Sequence, residues 1–129
     1  MILRVNNKAD TPVFQQIVQE VKAAIARGAC REGDMLPSVR QLAATLLVNP
    51  NTVAKAYRDL EREGVVDSRR GHGVFVAAGA EAHCRADRRQ AVLEKLADAL
   101  ADARSAGMTT SQIRAAVRQV LADELAPTT

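Results

Sequence analysis

"VNPNTVAKAY", residues 48–57, sets two asparagines and a proline directly ahead of a run that reads as a good helix. The order is a helix start. Asn49 is a favoured N-cap, because its side-chain oxygen accepts a hydrogen bond from an otherwise unpaired amide of the first turn. Pro50, at the first helical position, loses nothing by lacking an N–H. From there Val53, Ala56, Tyr57 and Leu60 fall on one face, the face a core would cover, with the Tyr57 hydroxyl at its edge. Asn51, Lys55, Arg58 and Arg62 fall in a narrow sector on the other, a basic and amide-rich stripe.

Two further helices precede this one. After "ADTP", Phe14, Ile17, Val18, Val21 and Ile25 recur at spacings of three and four, which predicts an amphipathic helix capped by Thr11, with Pro12 in its first turn and Gly28 at its end. In "CREGDMLPSVRQLAATL", residues 30–46, Gly33 and Pro37 mark an irregular connection. Ser38 followed at the third position by Gln41 is a capping box, opening a short helix that turns Val39, Leu42 and Leu46 inward.

Downstream, Gly64 ends the third helix and the pattern switches to period two: Val65 and Val66, then "DSRRGHG", then Val74, Phe75 and Val76. Two short strands around a glycine-containing, arginine-rich tip predict a β-hairpin. After "AAGA" a helical stripe of Leu93, Leu96, Leu100 and Ala103 follows, a pattern that faces another helix. Gly107 breaks it, and Thr109 with Gln112 forms a second capping box. Ile113, Val117, Val120, Leu121 and Leu125 then mark a last helix, ended by Pro127.

Composition agrees with a small helical chain of 129 residues: 47% are hydrophobic but only 2% aromatic, so the core must be aliphatic. No run approaches the ~18 apolar residues of a membrane span, and the start, "MILRVNNKAD", lacks the apolar region of a secretory signal. A cytoplasmic protein is expected, with Cys30 and Cys84 as unpaired thiols. Residues 1–78 hold 11 Lys or Arg against 8 Asp or Glu, whereas residues 79–129 hold 7 against 7. All the net charge of +3 therefore lies in the first part, where a polyanion would dock.

The expected fold is mostly α with a small β-hairpin. Three helices and a hairpin, with the short connection "LLVNP" between the second and third helices, follow the order of a winged helix-turn-helix. Residues 1–78 form this N-terminal domain, and residues 79–129 form a two-helix C-terminal dimerisation appendage. "LPSVRQLA" at 36–43, "VNPNTVAKAYRDLEREGVV" at 48–66 and "GHGVFV" at 71–76 together resemble the GntR family of bacterial transcription regulators. The short helical tail is similar to that of its YtrA-like subfamily.

The resemblance implies a sequence-specific DNA-binding regulator. It makes Arg40 a contact to base or phosphate, Asn51, Thr52 and Lys55 the recognition-helix contacts, and residues 69–73 the wing. Arg58 shares the basic stripe and is counted with these, although it and Arg62 also have acidic neighbours with which to pair. At the tip, Arg69 and Arg70 would meet phosphates or a narrow minor groove. Gly71 and Gly73 flank His72, for which a phosphate contact and a plain turn role stay open. The chain carries Val74 where many relatives have Thr, and Ala54 where other branches carry Arg.

Leu93, Leu96, Leu100, Ile113, Val117, Val120 and Leu121 would bury against a second copy, giving a homodimer on double-stranded DNA with a palindromic operator. Repression is the expected sign. Any small effector should bind between protomers or between domains, since the tail is too small to enclose a pocket of the usual ~300–1,000 Å³. The alternative is a winged-helix adaptor that binds protein without DNA sequence specificity; the basic stripe speaks against it. The sequence offers no phosphate-cradling loop and no Ser/His/Asp or Cys/His set, so no enzyme and no cofactor are expected. His83 and Cys84 are too isolated from other ligands for a metal site.

Overall fold

The computed structural model describes residues 3–125. The first stripe forms α1 (Val13–Ala26), with Ile17, Val21, Ala24 and Ile25 buried. Its cap differs from expectation. Pro12 itself occupies the N-cap position and has no side-chain oxygen to offer, so Thr11 lies one residue too early to cap. The Pro12 carbonyl instead accepts from the amides of Gln15 and Gln16, while the Gln16 side chain donates to the Thr11 carbonyl at 2.8 Å.

The capping box of α2 (Val39–Leu46) is complete: Ser38 Oγ accepts from the Gln41 amide, and Gln41 Oε1 accepts from the Ser38 amide. Leu42 is buried, and Val39 and Leu46 pack partly buried against the core. The chain then turns through Leu47 in the left-handed region, φ +57°, with the side chain 88% exposed. Asn49 caps α3 (Pro50–Arg62) by accepting from the Asn51 amide at 2.8 Å, with Pro50 at the first helical position. Val53, Ala56, Tyr57 and Leu60 are buried as their spacing requires. The Tyr57 hydroxyl donates to the Pro37 carbonyl at 2.7 Å, tying α3 to the entry of α2, and burial pushes its pKa up to about 12.

Gly64 ends α3, and the hairpin follows as β1 (Val66–Arg69) and β2 (Gly73–Val76), antiparallel with Val66 opposite Val76 and Arg69 opposite Gly73. Val74 packs partly buried on the core, a use for an apolar residue at that position. The connection before α2 is more ordered than its sequence predicts. The Leu36 amide donates to the Val74 carbonyl, the Val76 amide donates to the Asp34 carbonyl, and Met35 forms an isolated bridge with Phe75. Residues 34–36 thus cover the free edge of β2, satisfying groups that an edge strand would leave open.

A long helix, α4 (Ala80–Ser105), begins immediately after Gly79, and α5 (Thr110–Leu125) follows a turn at Gly107. The second capping box is formed: the Thr109 amide donates to Gln112 Oε1, and the Gln112 amide donates to Thr109 Oγ1. Pro127 lies outside the described residues. The chain divides into two compact units, residues 1–89 and 90–129. The first unit runs past residue 78 because Ala80 and Cys84, on the first turns of α4, are buried in its core.

Within the second unit the apolar stripes stay largely uncovered. Leu93, Leu96, Leu100, Val117, Val120 and Leu121 are between 41% and 63% exposed, and among the described residues only Ala91, at the start of the unit, and Ala103, Met108 and Ile113, near the turn, are partly buried. Residues of both helices line an open apolar groove of about 620 Å³, including Leu96, Leu100, Val117 and Leu121.

Candidate nucleic-acid interface

Helix α3 presents its polar stripe outward because its apolar face is fully committed to α1, α2 and β1. Asn51, Lys55 and Arg58 are exposed along it and Thr52 is half-buried, all within the three turns that follow the Asn49 cap. Arg40 is exposed in the first turn of α2. Among the described residues, the side chains of Arg40, Asn51, Thr52 and Arg58 make no intramolecular hydrogen bond or ion pair. Arg62 does: it meets Asp59 at 3.5 Å, an exposed pair of little energetic weight. Of the two arginines expected to pair with acidic neighbours, one does so and Arg58 remains available.

Two cations of the expected set are held over aromatic rings. Lys55 Nζ sits 3.9 Å from the centre of the Phe14 ring, and the Arg69 guanidinium sits 4.5 Å from the centre of Phe75. Such contacts are worth about 0.5–1 kcal/mol at exposed sites, too little to withhold either cation from a phosphate but enough to orient it. Sequence reading missed both. The second was accessible from the register: Arg69 opposes Gly73, so Phe75 is its diagonal neighbour on the same face of the hairpin. Phe14 and Lys55 stand 41 positions apart, with no local signal to join them.

At the wing tip the His72 amide donates to the Arg69 carbonyl at 2.9 Å, closing a turn whose third residue is Gly71 at φ +79°. That conformation calls for glycine. Arg70, Gly71 and His72 project as an exposed tip, and Gly73 begins the return strand. His72 thus shapes the turn through its backbone while its ring is exposed.

Behind this surface lies a cluster the sequence did not announce. Lys22, on α1, is 7% exposed, and its ammonium meets Glu63 Oε1 at 2.6 Å and Asp87 Oδ2 at 2.8 Å. Glu63 is the C-cap of α3 and also meets His83 Nε2 at 2.9 Å. Burial alone would lower the Lys22 pKa, but hydrogen bonds to Asp87 and Glu63 and their charges outweigh it and leave it raised. Burial would likewise raise Glu63, yet Lys22 and His83 hold it below its ordinary value; the hydrogen bond from Lys22 lowers Asp87. Cys30 and Cys84 are free thiols, both pushed up by burial.

Comparison with known proteins agrees with this geometry. The family described as "Bacterial regulatory proteins, gntR family" matches residues 14–76, the span from α1 through β2. The HTH-type transcriptional repressor YtrA of Bacillus subtilis is 34% identical over 122 residues, covering 95% of this chain and 94% of that protein. Among solved structures, a transcriptional regulator from Oenococcus oeni superposes with a TM-score of 0.75 at 31% identity, covering 91% of this chain and 97% of its own. The DNA-binding domain of AraR in complex with operator ORE1 matches 60% of this chain and 94% of its own, at 26% identity and a TM-score of 0.52. These relatives give the adaptor alternative no support. An outward polar stripe on a capped third helix, a basic wing and a full-length relative converge: the chain belongs to the GntR family, and is a DNA-binding transcriptional regulator with a winged helix-turn-helix head.

Proposed function

We propose that the protein is a homodimeric repressor that acts in the cytoplasm on a palindromic operator. The observation that carries the DNA reading is the exposed stripe of Asn51, Lys55 and Arg58, which starts at a capped helix N-terminus and, among the described residues, keeps the Asn51 and Arg58 side chains free of intramolecular hydrogen bonds and ion pairs. Set in a major groove, Asn51 would pair bidentately with adenine, and Arg40, Thr52 and Lys55 would add base or phosphate contacts. Arg69, Arg70 and the glycines around His72 would let the wing approach the backbone or minor groove closely.

The dimer reading rests on the largely uncovered stripes of the tail, Leu93, Leu96 and Leu100 on α4 and Val117, Val120 and Leu121 on α5, with Ile113 partly buried beside them. Two helices alone rarely sustain a core, and a second copy offers the missing apolar surface by twofold symmetry. Symmetry would set two α3 helices on half-sites about 34 Å apart or a multiple of it. The tail groove is open rather than enclosed, so any small effector would bind at a surface shared with a second protomer. Repression is the simplest consequence of occupying a promoter, and the Bacillus subtilis relative carries the name of repressor.

Selection of bound sequences from a random DNA pool tests the reading. A palindrome should emerge, and Asn51→Ala should lose about 1–3 kcal/mol on it and relax the sequence at one position per half-site. Recovery of no preferred sequence, or an Asn51→Ala protein as selective as the parent, would refute it.

A further inference from the structure

We propose that Lys22 is a positioning residue for operator recognition: its ammonium ties the end of α3 to the start of α4 and thereby fixes the half-site spacing that the dimer accepts. The proposal rests on the dimeric-operator reading above. Three helices meet at this one side chain: α1 supplies the lysine, α3 supplies Glu63 at its C-cap, and α4 supplies Asp87 together with His83, which meets the same Glu63 oxygen as Lys22.

The apolar grip of α4 on this unit is slight. Ala80 and Cys84 are its only buried residues among those described, and both are small. Arg85 adds a long bond to the Ala26 carbonyl, 3.4 Å, and an ion pair with its own neighbour Glu81. Small apolar contacts tolerate sliding, because they have no direction. An ammonium held between two carboxylates on different helices does not, since its donors fix distance and angle together. Its two carboxylates stay 32% and 44% exposed, so solvent screens the pairs and their directed bonds matter more than their energy.

That geometry bears on function because Glu63 ends the helix carrying Asn51 and Lys55, while Asp87 lies on a helix about 39 Å long whose far half bears the leucine stripe. The leucine stripe begins on this same helix, six residues beyond Asp87. Lys22 touches no DNA-facing residue, so its removal should leave each head able to read its half-site.

The test uses duplexes carrying two copies of the selected half-site at spacings stepped by one base pair, beside a duplex with a single half-site. The parent should favour one spacing by at least about tenfold, a fraction of the ~10²–10⁴ that simultaneous engagement contributes. Lys22→Met should bind the single half-site within about twofold of the parent, stay dimeric, and bind neighbouring spacings almost alike. Asp87→Asn combined with His83→Ala, which removes both α4 contacts from a partly exposed site and leaves Lys22 on Glu63, should flatten the spacing preference in the same way and guards against misfolding of the first variant. Variants that keep the parent's preference overturn the proposal while leaving the dimeric reading intact. A parent with no spacing preference overturns both.

Discussion

The head and the tail are built from the same aliphatic side chains at the same helical spacings, yet they treat them oppositely. Ile17, Val21, Ile25, Val53 and Leu60 are wholly buried, whereas the leucines and valines of α4 and α5 remain 41–83% exposed. The difference lies in the number of layers. In the head α3 packs on α1 and α2 and on β1, so each stripe meets another within one chain. In the tail two helices meet near Gly107, and their stripes line an open groove that leaves them largely exposed. Pattern alone does not say where a stripe is buried. It says only that it must be.

The sharpest way to break this comparison is to truncate one leucine in each region. Leu60→Ala should lower unfolding stability by about 2–5 kcal/mol, equally at every protein concentration, because the cavity opens inside one protomer. Leu96→Ala should cost far less at high dilution, and its effect should appear as weaker self-association. Chemical denaturation followed across a hundredfold range of concentration separates the two. Equal, concentration-independent losses would mean that the tail carries its own core.

Acid and base sharpen the contrast, because the Lys22 cluster belongs to the head. Glu63 and Asp87 are depressed, so their contribution is present above the ordinary carboxylate range and is lost as pH falls through their lowered values. Lys22 is raised from 10.5, so its contribution is complete below that value and is lost as pH rises through the raised one. Head stability should therefore be flat between these limits and fall outside both. Lys22→Met should flatten both flanks of the profile in thermal melts over pH; an unchanged profile would show that the cluster contributes nothing.

How much of this was legible beforehand follows the range of the interactions. Ser38 with Gln41, Asn49 with Pro50, Thr109 with Gln112 and the stop at Gly64 are contacts within one turn of helix, and all read directly from the sequence. The outward direction of Asn51, Lys55 and Arg58 followed from helical period alone. Three features did not. Residues 34–36 pair with a strand about forty positions away and show no alternation to announce it. Lys22 owes its burial to Glu63 and Asp87, which lie on other helices, and a lysine between Val21 and Ala23 reads locally as a solvent-facing residue. Pro12 displaced Thr11 because a one-residue shift of the helix start decides which side chain can cap.

The smallest expected effect concerns the turn between α2 and α3. Leu47 holds φ +57° with its side chain in solvent, so it bears left-handed strain without packing in return. Leu47→Gly should raise the stability of the head by about 0.5–1 kcal/mol and leave tail association unchanged. A loss of stability in equilibrium melts would mean that the exposed leucine is held by a contact the single chain does not show.

The division of labour itself is tested most directly by a fragment ending at Arg89, the limit of the first compact unit. Sedimentation and titration with single and paired half-sites should be measured on this fragment and on the whole chain. The fragment should stay folded and monomeric and match the whole chain on a single half-site. On the paired operator it should bind roughly 10²–10⁴ more weakly, because the linkage supplied by the tail is gone. A fragment that dimerises and binds the paired operator as tightly as the whole chain would contradict the account.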